Sequence, residues 1–282
     1  MKKKILLYLI CFFALQIKAQ IIPQNGTIAS SPEFIVLKNV SVYIRPGLKI
    51  EKASILISNG KIIDIGKKIT IPKNAIEYDL EGKTIVPAFI ELYTNIGMPK
   101  GSEQNYSPRP QIESSKTGPY YWNEAIHPEI EAHNFFTVDS KANENYLKSG
   151  FGFAVSHVQD GIVRGSGTLV SLGDENSSKN TISLKSGMFY SFSKGTSTQS
   201  YPSSQMGSIA LLRQSLYDLK FYSENEKHDQ SISLERWKEG IGLPSLFKVN
   251  DKWEILRAEK IANEFQLKMN YIGSGNEYAA LS

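Results

Sequence analysis

The chain contains little cysteine and little histidine: one cysteine and four histidines in 282 residues. The cysteine, Cys11, lies inside an apolar run near the start of the chain. If that run is removed on export, the mature protein has no thiol, which excludes disulfides, cysteine nucleophiles and cysteine-ligated zinc. The four histidines form neither a His-x-His pair nor a His-Glu-x-x-His helix motif, so the sequence contains no complete metal-binding template.

An excess of charge of one sign is also missing. The chain has 32 Lys and Arg against 28 Asp and Glu, and four of the lysines lie within the first twenty residues. The two signs balance in the remainder, so the clustered basic charge of a nucleic-acid-binding surface is absent, and we expect no nucleic-acid partner. Hydrophobic residues make up 41% of the chain, which is enough to bury the core of one large domain or two smaller ones.

The first twenty residues combine a basic start with a short apolar run. Residues 2–4 are lysines, residues 5–15 are apolar, and Ala19 stands before a polar residue. The run is too short to span a bilayer. This order is more typical of a secretory signal peptide than of a buried first helix, which is the alternative. We therefore predict a signal peptide over 1–19 and an exported protein, periplasmic or secreted.

Residues 33–87 alternate short β-rich runs with turn signals. Asn59 and Gly60 stand between two alternating runs, and both tolerate the positive φ of a type I′ turn, which predicts a hairpin. We predict a small antiparallel β module over 33–87. The run 84–93 is mostly apolar, which is typical of a strand buried on both faces.

Beyond residue 88 the pattern changes to helices that alternate with short strands. A Pro-rich segment over 97–122 predicts a long surface loop. The predicted elements that follow are helices capped by Asp139 or Ser140, by Ser203 or Ser204 and by Asp251, and strands at 153–157, 188–192 and 268–272. This alternation favours parallel βα units and an α/β fold class. Because residues 88–282 are too few for a complete (β/α)8 barrel, we predict an incomplete TIM-like barrel there.

Four segments of the chain resemble the amidohydrolase superfamily. Residues 56–66 read LISNGKIIDIG and residues 78–91 read YDLEGKTIVPAFIE, where the family has I-x-x-G-K-I-x-x-I-G and D-x-x-G-K-x-V-x-P-G-F-I-D. Residues 156–168 and 190–208 resemble large secreted imidazolonepropionase-like amidohydrolases of Bacteroidetes-type bacteria. The resemblance implies a composite β-sandwich joined to a metal-dependent (β/α)8 barrel. It also implies a hydrolase of carbon–nitrogen bonds other than peptide bonds, with zinc or another divalent metal as cofactor.

The chain departs from that family at the metal motif. Where the family has His-x-His, this chain has Tyr93 and Asn95, and Glu91 replaces the usual aspartate. Residues two apart on a strand point the same way, so two imidazoles there can reach one metal, whereas a phenol and an amide are poor zinc ligands. We therefore expect no metal and no cofactor in this chain, and no activity of the chain alone.

The resemblance extends over almost all of the mature chain and implies the front part of a longer polypeptide. In those proteins two amidohydrolase modules stand in tandem, so the expected partner is a second module of the same polypeptide. One alternative is a non-catalytic pseudo-enzyme module that binds a small-molecule ligand or serves as a scaffold. Another is a non-functional truncation product, which would expose the apolar helix face over 206–219.

His157, Asp160 and Arg164 are the candidate catalytic residues. His157 ends a predicted strand, the place where barrel folds gather their catalytic groups. Asp160 and Arg164 follow in a glycine-rich turn, close enough to orient the imidazole. The alternative is a tight turn at Asp160 with Arg164 in an internal ion pair. His127 and His133 match no metal template and are predicted to be surface or loop groups.

Overall fold

The computed structural model of the chain describes residues 34–99, 111–173, 177–225, 227–276 and 278. The chain divides into two compact units, Met1–Pro87 and Ala88–Ser282. The predicted signal peptide, 1–19, and residues 100–110 of the Pro-rich segment lie outside the described residues. Within the described ranges, no helix is both long enough and apolar enough to cross a membrane.

The described strands of the first unit form a five-stranded sheet: β1 (Ile35–Arg45), β2 (Leu48–Ser58), β3 (Lys61–Gly66), β4 (Ile76–Asp79) and β5 (Thr84–Ile85). The strand β2 pairs antiparallel with β1 and β3, but β4 and β5 pair parallel with β1. The prediction of an antiparallel module was therefore wrong for β4 and β5, because the chain crosses back after β3 to the other edge of β1. The predicted hairpin is confirmed, with φ of 48° at Asn59 and 73° at Gly60.

The second unit is a mixed α/β structure around a six-stranded sheet, in the order β11-β10-β9-β8-β7-β6. Its strands are β6 (Phe89–Thr94), β7 (Phe151–Ser156), β8 (Val163–Ser171), β9 (Thr181–Ser191), β10 (Ser245–Lys248) and β11 (Met269–Ile272). Its helices are α1 (Ser140–Lys148), α2 (Ser177–Asn180), α3 (Gln205–Glu224), α4 (Ile232–Gly240) and α5 (Lys252–Phe265). The sequence predicted α1, α3 and α5 but not β8, α4 or β10.

The strand β8 breaks the predicted alternation of helix and strand. It runs antiparallel to both β7 and β9, whereas the other neighbouring pairs are parallel. The expectation of parallel βα units alone was wrong here because the glycines of 163–171 read as turn signals. A Cβ at Gly165 would overlap the carbonyl of Ile130, and one at Gly167 would overlap the ring of Phe189. These glycines therefore permit close packing within a strand.

The run 84–93 is not one strand buried on both faces. It divides between β5 in the first unit and β6 in the second. Phe89, Ile90 and Leu92 of β6 are 63%, 50% and 56% exposed. Among the described strands of its sheet, β6 is the end strand, with β7 as its neighbour.

The main core of the second unit lies between the sheet and helices α3, α4 and α5. Trp237 of α4 is completely buried, and Leu212, Leu216 and Leu219 of α3 are at most 3% exposed. A truncation product was expected to expose the 206–219 face, but these leucines are buried because α4 and α5 pack against them.

Candidate functional site

The six-stranded sheet curls so that distant strands face one another. From β6 to β10 there are four strand-to-strand steps, which would span roughly 19 Å on a flat sheet at about 4.8 Å each. The Nζ atom of Lys248, at the end of β10, nevertheless lies 5.9 Å from the ring centre of Tyr93 on β6. Side chains from several strands therefore converge at the C-terminal ends of the parallel strands, where barrel-like folds place their sites.

Arg164 stands at the centre of this convergence, because β8 is antiparallel and begins where its neighbours end. Its side chain is buried, and it donates from Nη1 to the Tyr93 hydroxyl (2.6 Å). It also donates from Nη2 to Ser191 Oγ (2.9 Å) and from Nε to the Gly161 carbonyl (3.0 Å). The guanidinium makes no ion pair with any described carboxylate. Among the described residues, Arg164 is therefore held by hydrogen bonds to neutral groups and not by the internal ion pair of the alternative.

His157 lies beside Arg164, directly after β7, and is fully buried. Its ring stacks on Phe189 with centroids 3.7 Å apart, and the Tyr93 ring centre is 4.7 Å away. Neither ring nitrogen has a hydrogen-bond partner in the described part of the chain. Burial, together with the positive charge of Arg164, lowers the pKa of His157 to about 2, so the imidazole is neutral at physiological pH.

Asp160 does not orient the imidazole of His157. Its carboxylate accepts hydrogen bonds from the backbone N–H of Thr196 (2.6 Å) and from the Thr196 hydroxyl (2.8 Å), so it fixes the loop that follows β9. The structure thus brings His157 and Arg164 together around Tyr93 and places Asp160 on a separate set of contacts. The catalytic assignment of these three residues stays a prediction.

His127 lies in a loop, as one half of its prediction had it, but it is not a surface group. His127 is 2% exposed, and its backbone N–H donates to the Val163 carbonyl (3.0 Å). Burial lowers the pKa of His127 to about 4. His133 is partly exposed, and its Nε2 lies 3.7 Å from the Glu131 carboxylate.

Sequence reasoning missed two members of the site, Ser191 and Lys248. Both lie at the C-terminal ends of strands, and Lys248 donates to the Gly273 carbonyl (3.0 Å). The four-residue strand β10 was too short to recognise from its pattern, so Lys248 had no predicted element to place it.

The residues at the metal-motif positions do not fit a divalent metal. The Tyr93 oxygen accepts a hydrogen bond from the Arg164 guanidinium, so a cation at that oxygen would lie beside a fixed positive charge. Asn95 is exposed, and Glu91 accepts the backbone N–H of Tyr93 (2.9 Å) within its own strand. Among the described residues, no three His, Cys, Asp or Glu side chains lie close enough to hold a metal ion together.

Comparison with known proteins supports the fold. No family model matches the chain. A dihydroorotase of Caldanaerobacter subterraneus subsp. tengcongensis is 39% identical over 84 residues, which is 30% of this chain and 19% of that protein. A prolidase complexed with N-methylphosphonate-L-proline is 12% identical, with 81% of this chain and 59% of the prolidase covered. Its TM-score of 0.37 is too low to indicate a shared fold.

An amidohydrolase from Thermotoga maritima MSB8 superposes with a TM-score of 0.66 at 22% identity. The match covers 84% of this chain and 63% of the amidohydrolase, so the chain spans less than two thirds of that structure. At this level of identity the likeness concerns the fold and not the chemistry. The chain therefore has the fold of the Thermotoga maritima amidohydrolase over most of its length.

Proposed function

We propose that the chain is the front part of an exported amidohydrolase of the imidazolonepropionase-like, Bacteroidetes type, and that it does not hydrolyse substrate by itself. The complete protein would cleave carbon–nitrogen bonds other than peptide bonds. The family motifs at 56–66 and 78–91, the shared fold and the 84-residue match to a dihydroorotase support this assignment.

One observation carries the proposed inactivity: the hydrogen bond from Arg164 to Tyr93. In the amidohydrolases that the chain resembles, the strand end that corresponds to the end of β6 holds two metal ligands. Here a buried guanidinium lies against that strand end, and its charge disfavours a divalent cation. We therefore assign zinc or another divalent metal, and the catalysis, to a second amidohydrolase module of the same longer polypeptide. Residues 33–87 and 88–282 would be the β module and the partial barrel of the first module.

The direct test is metal content and hydrolysis by the mature chain, without the predicted signal peptide. After incubation with zinc and dialysis, we expect far less than one zinc per chain and no turnover of cyclic amides such as dihydroorotate, hydantoin or imidazolonepropionate. Stoichiometric zinc that is lost on chelation together with hydrolysis would contradict the proposal. A matched variant, Tyr93→His with Asn95→His, should still gain no metal because Arg164 remains in place.

A second measurement addresses the longer polypeptide. We would capture the protein from its native cells with an antibody against residues 111–122 and measure its intact mass in the periplasmic and extracellular fractions. A species much larger than 31.5 kDa in those fractions is expected. A species near that mass less the signal peptide would instead favour a free-standing module, and a cytoplasmic location would contradict export.

A non-catalytic ligand-binding or scaffolding module is the second candidate function. The observation that favours it is the same buried guanidinium, which forms no ion pair with a described carboxylate. Burying a charge without a counter-charge is costly. A bound anionic ligand would remove that cost. This candidate would be favoured if neither the chain nor the longer polypeptide turns over substrate while the chain still binds an anionic ligand.

A further inference from the structure

Hydrogen-bond donors outnumber acceptors around Arg164. A guanidinium carries five N–H groups, and Arg164 directs three of them to Tyr93, Ser191 and Gly161. One N–H on Nη1 and one on Nη2 therefore have no acceptor among the described residues. The Tyr93 hydroxyl accepts from Arg164, but its own proton has no acceptor in the same part of the chain.

His157 adds another unused donor to this group. A neutral imidazole carries one N–H and one bare nitrogen, and neither nitrogen of His157 has a partner in the described structure. The side chain is completely buried and touches both Tyr93 and Phe189. Four donors thus converge on one region with a single unused acceptor, which is the arrangement that an anion requires.

The charges nearby point in the same direction. Arg164 brings a positive charge to the hydroxyl of Tyr93, and Lys248 brings a second one to within 5.9 Å of the Tyr93 ring centre. The nearest carboxylate in sequence, Asp160, is occupied by Thr196. Two N–H groups on the terminal nitrogens of one planar guanidinium match the two oxygens of a carboxylate, which Arg binds in a bidentate manner.

We propose that Arg164, Tyr93 and His157 bind a small carboxylate at the C-terminal end of the curled sheet. The carboxylate accepts the two remaining N–H groups of Arg164 and neutralises its charge. Tyr93 and Lys248 are partly exposed and form the outer boundary of the site, so Lys248 must turn aside for the carboxylate to enter. This inference rests on the proposed function in one respect: no metal occupies this strand end.

The test is a titration of the mature chain with formate and acetate, with chloride and phosphate at equal ionic strength as comparisons. Calorimetry and thermal unfolding report binding, and ¹⁵N-labelled histidine reports whether the His157 ring nitrogens respond. We expect carboxylate-specific saturation and a changed His157 signal. Arg164→Met should weaken binding by about 10-fold or more, because it removes a bidentate charged contact.

Two further variants keep the test decisive. Tyr93→Phe removes a single hydroxyl and should weaken carboxylate binding by about 2- to 10-fold, even if Arg164→Met fails to fold. Arg213→Met removes an exposed arginine that pairs with Glu264 on another face of the unit, and it should leave binding unchanged. The proposal would be overturned if formate and acetate do not saturate the protein, or if chloride has the same effect as they do. Tighter binding of phosphate than of the carboxylates, or an unchanged carboxylate affinity in Tyr93→Phe, would also overturn it. A zinc measurement on the same sample separates this failure from failure of the proposed function.

Discussion

His127 packs directly against the backbone of Gly161. Gly161 has a φ of 80°, and a Cβ at this position would overlap His127 Nε2 and lie 2.8 Å from the Ala125 carbonyl. Gly161 also supplies the carbonyl that accepts from Arg164 Nε. One glycine thus joins the buried loop around His127 to the guanidinium site.

We predict that Gly161→Ala destabilises the second unit by about 2–4 kcal/mol, the combined cost of left-handed backbone strain and overpacking. Urea denaturation followed by tryptophan fluorescence would measure this loss, since all three tryptophans lie in that unit. Gly242→Ala is the matched control, because a Cβ there meets nothing within 4 Å and the φ is not positive. Equal stability of the two variants would contradict the packing argument.

Local sequence signals predicted the helix starts well. Asp139, Ser204 and Asp251 each accept a backbone N–H from the first turn of the helix they precede. Capping depends on one side chain and its neighbours, so it can be read without knowing the fold. The strands β8 and β10 could not be read in this way, because one is interrupted by glycines and the other has four residues.

Tyr190 and Trp237 provide a prediction about the main core. Trp237 Nε1 donates to the Tyr190 hydroxyl (3.0 Å), and both side chains are at most 2% exposed. Tyr190→Phe leaves the indole N–H buried without this acceptor, so we expect a loss of about 1–3 kcal/mol in the free energy of unfolding.

Tyr217→Phe is the control for that variant. The Tyr217 hydroxyl donates a hydrogen bond to Glu264 at an exposed position, so its removal should change the free energy of unfolding by less than about 1 kcal/mol. Chemical denaturation of both variants gives the comparison. A loss in Tyr217→Phe as large as that in Tyr190→Phe would mean that burial of the Trp237 N–H is not the cause.

The candidate site was predictable in part. His157 was placed at a strand end because a strand pattern precedes it, and it lies directly after β7. The role of Asp160 could not be derived from the sequence, because its partner Thr196 is 36 residues away. Likewise, the position of Arg164 beside Tyr93 depends on the direction of β8, which no local pattern indicates.

The hairpin of the first unit gives a local prediction. Gly60 has a φ of 73° in the turn between β2 and β3 and is exposed. Gly60→Val places a β-branched residue in the left-handed region, so we expect a loss of about 1–2 kcal/mol. Hydrogen exchange of the β2 and β3 amides should speed up accordingly, while exchange in β9 stays unchanged. Equal acceleration in both units would show that the effect is not confined to the hairpin.

The buried histidines predict how stability depends on pH. The pKa of His157 is lowered to about 2 in the folded chain, whereas an unfolded histidine has a pKa near 6.5. As the pH falls through 6.5, the unfolded state takes up the proton and the folded state does not. The stabilisation is therefore complete above pH 6.5 and decreases below it, by about 2 kcal/mol at pH 5.

His157→Phe should remove this contribution while keeping an aromatic ring against Phe189. We expect the difference in unfolding free energy between wild type and variant to shift by about 2 kcal/mol in favour of the variant between pH 8 and pH 5. At pH 8 His157 is neutral in both the folded and the unfolded chain, so the difference in unfolding free energy at that pH reports the packing change alone. Urea denaturation in carboxylate-free buffers measures both values, which keeps the titration separate from ligand binding. A difference that stays constant between the two pH values would show that His157 titrates normally in the folded chain and is more accessible to water than its full burial implies.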